Sequence, residues 1–117
     1  MTMIAHFMIE WLKVDGLYKI PRGLHVGVGL HTVLHYLGAV RHHRWIYSTP
    51  DGQLRWFWLR RTGPVEGVLG DLADVHLVRP KGLALNRTVT FNCGSRRVEL
   101  YAPRTEADRI VSFLDRP

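Results

Sequence analysis

Apolar positions in the first dozen residues recur at helical spacing: Ile4, Phe7, Met8, Trp11 and Leu12 stand at i, i+3, i+4, i+7 and i+8. The pattern predicts a short amphipathic helix, ended by Asp15-Gly16. Its polar face is not basic, so packing on the domain accounts for it better than a membrane surface does. At the other end, Ala107, Ile110, Val111 and Leu114 form one apolar stripe, with Arg109 and Arg116 lying off it. Thr105, followed three residues on by Asp108, resembles a capping box with Asp in place of Glu. A C-terminal helix packed on a sheet is predicted.

Between these ends the pattern shortens to period two. Residues 17–20 read as extended, and Pro21-Arg22-Gly23 as a turn. Two β-like runs follow, LHVGVGL at 24–30 and TVLHYLG at 32–38, close enough to form a hairpin with its tip near His31-Thr32. Residues 45–48 and 54–59 (LRWFWL) are strands separated by the turn Thr49-Pro50-Asp51-Gly52. The Gly/Pro-rich stretch 62–70 reads as a loop, and 74–78 and 88–91 as further short strands. RRVELYA at 96–102 alternates Val98 and Leu100 with Glu99 and Tyr101, which allows another strand. The fold class expected is α+β: one domain over residues 1–117, an antiparallel sheet and a helix at each end.

Composition narrows the classes. With 46% apolar and 22% charged residues, a 117-residue chain buries a core of its own. A single cysteine excludes an internal disulfide and suits a reducing, cytoplasmic setting. The longest apolar candidate, residues 3–12, carries His6 and Glu10 and is too short to span a bilayer. It also lacks the basic start and cleavage site of a signal peptide. The net charge is +6, and thirteen of the sixteen basic residues are Arg. Arginine's fork suits phosphate and carboxylate, so an anionic partner is expected: RNA, a lipid headgroup or an acidic protein.

Two constellations could carry chemistry. Cys93 is the lone thiol; as a nucleophile it needs an imidazole to take its proton, and His25 and His35 on the expected hairpin are the candidates. Side chains alternate along a strand, so a two-residue loop at His31-Thr32 puts these histidines on opposite faces, and a three-residue loop or a bulge puts them on one. Taken alone, a single cysteine is more often a small buried hydrophobe. The second constellation is the run Arg55–Arg61, RWFWLRR, which interleaves aromatics with arginine as single-stranded RNA binders do. Arg41 and Arg44, and Arg96 and Arg97 near the cysteine, extend that basic set. A core strand with arginines at its ends is the simpler reading. His31 and His35 have helical metal spacing but fall in the hairpin, and His42-His43 has no partner in view, so neither metal nor cofactor is expected.

The stretch DGLYKIPRGLHVGVGLHTVLHYLGAV at 15–40 resembles the H-box of the lecithin–retinol acyltransferase-like proteins, and FNCGSRRVELYAPRTEADRIVSFL at 91–114 resembles their NC segment. The resemblance covers somewhat under half of the chain. It implies a permuted NlpC/P60-like fold, with Cys93 as nucleophile, His25 as general base and His35 orienting it. It also implies that the segment opening at Cys93 is a helix. Cellular members are phospholipases and acyltransferases that form an acyl-cysteine; short viral members, of the picornavirus 2A type, act in genome replication. Gly94-Ser95 stands where active relatives carry Glu and His, the hairpin turn is short, and no hydrophobic tail follows. These departures favour the viral, catalytically silent branch, acting in the host cytoplasm through protein or RNA contacts. If 96–102 is instead a strand, the tail resembles the end of a pleckstrin-homology-like domain: strand, turn, strand, final helix. A lipid or protein adaptor would then be expected.

Overall fold

The computed structural model describes residues 5–22, 44–60, 62–78 and 88–115. The hairpin expected at 24–38 lies outside them. Nine strands are described: β1 (Ala5–Met8), β2 (Trp11–Val14), β3 (Leu17–Ile20), β4 (Arg44–Ser48), β5 (Gln53–Arg60), β6 (Gly63–Asp71), β7 (Val75–Val78), β8 (Thr88–Cys93) and β9 (Arg96–Tyr101). One helix, α1 (Arg104–Leu114), follows. Every strand pair is antiparallel, in a four-stranded sheet of order β1-β4-β5-β6 and a five-stranded sheet of order β3-β2-β9-β8-β7. Among the described residues the class is α+β, with two sheets and one helix.

The expected N-terminal helix is two strands. Phe7 and Ile9 point inward at period two, and Leu12 and Val14 do the same after a slip of one residue. That slip is what imitates helical spacing. It also marks a corner: Ile9 N–H donates to Arg44 O (3.0 Å) in the four-stranded sheet, and Glu10 N–H donates to Tyr101 O (2.6 Å) in the five-stranded one. One N-terminal ribbon therefore serves both sheets, a strand that changes sheet at a bend.

Asp15-Gly16 is the tip of a hairpin and not a helix stop. Val14 pairs with Leu17 across a two-residue loop in which both φ values are positive (52° and 80°), as a type I′ turn requires. The tip is tied to β9 twice: Asp15 N–H donates to Arg97 O (2.8 Å), and its carboxylate accepts from Arg97 N–H (2.9 Å).

The Gly/Pro-rich stretch expected as a loop is the nine-residue edge strand β6. Gly67 stands opposite Trp56, whose indole lies where a Cβ would be, 2.5 Å from Nε1. The glycine is a seat for a core ring.

Inner faces of both sheets and the helix form one cluster that includes Ile46, Leu54, Trp56, Leu69, Val89, Phe91, Val98, Leu100 and Ile110. The stripe expected on α1 is observed, with Ala107, Ile110 and Leu114 buried. The capping box is not. Pro103 is the N-cap, and no side chain caps the helix. Glu106 instead accepts from Met8 N–H (3.1 Å) and from Arg109 (2.7 Å), fastening the first turn to β1. Among the described residues no helix is long and apolar enough to cross a membrane.

Candidate functional site

Cys93 ends β8, pairs with Arg96, and is joined to β9 by the two-residue loop Gly94-Ser95. Gly94 has φ 61° in the first central position, where a type II′ hairpin turn needs glycine. The segment after the cysteine is thus a strand. The helix implied by the acyltransferase-like resemblance does not form, because Val98 and Leu100 alternate inward to the core while Glu99 and Tyr101 face out.

Alternation along β8 sends Val89, Phe91 and Cys93 inward. The thiol is 3% exposed and donates to Asp71 O at 3.4 Å. Gly94 N–H donates to Asp74 O, holding the turn against the short 3-10 segment Leu72–Asp74. Burial pushes the Cys93 thiol above its ordinary 9.0, and the nearby Asp74 and Asp71 carboxylates push it the same way, against a smaller opposing effect of Arg96. A thiolate nucleophile needs the opposite: exposure, a cation or a helix N-terminus.

This raised pKa has a stability consequence. The unfolded thiol ionises first, so the stabilisation is full below pH 9 and is lost as pH climbs towards the folded value. Urea unfolding of wild type between pH 8 and 10 is expected to weaken more steeply than that of Cys93→Ala, by at most about 1.4 kcal/mol per pH unit. Parallel pH profiles for the two proteins would contradict this.

His25 and His35 lie outside the described residues, as do His31, His42, His43, Arg41 and Arg61. Among the described residues no three His, Cys, Asp or Glu side chains gather as metal ligands.

The remaining arginines do not form one stripe. Arg44, opposite Trp58 in register, donates to Glu10 O (2.8 Å) and lies 5.5 Å from the Trp58 ring centre; Arg60 lies 5.8 Å from the same ring. Burial lowers the pKa of Arg44, partly offset by Glu10. Arg55 pairs with Tyr47 in register and points to the opposite face. Trp56 of the same run is core. In the five-stranded sheet, Arg96 donates to Val68 O (2.7 Å) and bridges the hairpin to the edge strand β6, while Arg97 pairs with Glu99 at 3.5 Å. Arg44 and Arg96 are committed to backbone carbonyls.

One grouping was not apparent in the chain. On the outer face of the five-stranded sheet, Trp11 stacks on Tyr101 (centres 6.0 Å apart, planes 8° apart) and meets the edge of Tyr18 at 5.9 Å. The Lys13 ammonium is 4.8 Å from the Tyr18 centre and 5.6 Å from that of Trp11, and the Arg22 guanidinium is 5.3 Å from Trp11. Trp11 sits opposite Tyr101, and Lys13 opposite Tyr18, so strand register assembles the group. The signal in the sequence was the outward alternation of Trp11 and Lys13, which a helical reading of that segment hides.

Comparison with family models, with curated proteins and with solved structures gives no match.

Proposed function

We propose that the protein is a binding module for an anionic partner and works without turnover at Cys93. The observation that carries this reading is the seat of the thiol: inward on a tight hairpin, donating to a backbone carbonyl, at 3% exposure. An acyl-cysteine mechanism needs that sulfur to meet substrate as a thiolate. The adaptor reading, by contrast, asks for a strand, a turn, a strand and a final helix, and β8, Gly94-Ser95, β9 and α1 run in that order. The charge of +6 selects the sign of the partner.

The test is chemical. An activated acyl lipid probe is expected to label native Cys93 at least about a hundredfold more slowly than the urea-unfolded chain, because the thiol reacts only through opening of the fold. Cys93→Ala is expected to keep wild-type retention on a heparin column. Rapid, stoichiometric acylation of the folded protein, abolished in Cys93→Ser, would restore the enzyme reading and defeat this one.

A further inference from the structure

The outer face of the five-stranded sheet carries more aromatic surface than a solvated face needs. Trp11, Tyr18 and Tyr101 come from three adjacent strands; Trp11 is covered, at 9% exposure, while Tyr101 is half-buried and Tyr18 is 43% exposed on the edge strand β3. Cross-strand aromatic pairs do stabilise sheets, but that role alone does not call for two cations among the rings. Here Lys13 and Arg22 stand against the rings, and the same face continues across β9, where Glu99 lies opposite Lys13 and is paired with Arg97 at 3.5 Å, to Thr90 and Asn92 of β8, whose neighbours Val89, Phe91 and Cys93 point the other way.

The geometry points to a platform for single-stranded nucleic acid: bases stack on Tyr18 and Tyr101, and phosphates meet Lys13 and Arg22. This rests on the binding-module reading and names its partner and surface. A single strand offers both things the face offers back, flat π surfaces and a negative charge at each nucleotide. An acidic peptide would use the cations and leave the rings of Tyr18 and Tyr101 idle. A duplex would present phosphates with its bases already stacked on each other. The arginines of the RWFWLRR run are not needed for this face; Arg55 and Arg60 belong to the other sheet.

The experiment is a fluorescence-anisotropy titration of the full chain with a labelled ten-nucleotide single-stranded RNA over a range of salt. The single strand is expected to bind tighter than a duplex of equal length, the reverse of what net charge alone dictates. Two phosphate contacts give a log–log salt slope of about −1.4, and Lys13→Ala or Arg22→Ala flattens it by about 0.7. Tyr18→Ala weakens binding about tenfold with the slope unchanged, and Tyr18→Phe restores it. Arg104→Ala, which removes an exposed charge on α1, leaves the affinity within about twofold. RNA binding indifferent to Lys13→Ala and Tyr18→Ala overturns this face while the module reading stands. Preference for the duplex, for polyglutamate or for phosphatidylserine vesicles overturns the choice of partner. Failure to bind any of these polyanions removes the module reading as well.

Discussion

Gly70→Ala is expected to cost about 3–5 kcal/mol of folding stability, a large share of what a domain of this size has. Two effects act at one carbon. The backbone at Gly70 has φ 148°, a region that residues with a side chain rarely enter. The added Cβ would also lie 2.6 Å from Cys93 Sγ, inside the core. The sulfur cannot swing outward, because it is held on the inner face of β8 by alternation. The two effects separate in a double-mutant cycle: Cys93→Ala should recover about 1–2 kcal/mol in the Gly70→Ala background by removing the clash, and leave the backbone part in place. Urea denaturation measures all four proteins. Strict additivity would mean that the thiol does not crowd Gly70.

That contact explains why the hairpin chemistry was only half legible in the sequence. The alternation of Val98 and Leu100 allowed a strand after Cys93, and the two-residue Gly94-Ser95 loop is the kind that closes one. The seat of the sulfur, by contrast, is remote: Gly70, Asp71 and Asp74 approach from another part of the chain and enclose it. Local patterning does not reveal such partners.

The same division runs through the fold. Short-range chemistry was readable: the Thr49–Gly52 turn, where Thr49 bonds with Asp51 and with Gln53 N–H, and the buried stripe of α1. Two segments misled. Residues 5–14 satisfy both a helical and a slipped strand pattern, and pairing with β4 and β9 settles it in favour of strands. Residues 63–71 look like a loop because glycine and proline usually break strands, yet Gly67 is small to admit Trp56, and Pro64 sits on an edge strand. In the candidate binding face, Trp11, Tyr18 and Tyr101 meet only through register across β3, β2 and β9. No spacing rule brings the third ring to the first two.

Phe91→Ala is expected to cost about 3–5 kcal/mol, with the urea midpoint lowered and the slope of the transition unchanged. Phe91 has no exposed surface and lies on β8, an interior strand of the five-stranded sheet beside the edge strand β7, flanked in register by Leu77 of β7 and Val98 of β9. Helix α1 packs on β7 and β8 from the same side. Truncation removes the ring's burial and leaves a cavity that strands held on both edges cannot close. Phe91→Leu keeps most of the volume and should cost no more than about 1.5 kcal/mol. The pair of variants also separates stability from binding. Phe91 faces the core and the platform faces solvent, so Phe91→Leu at a temperature where it is folded should bind single-stranded RNA as wild type does. A Phe91→Leu protein that stayed folded yet lost RNA binding would show that the outer face depends on the packing beneath it, so that stability and binding are not separable at this strand.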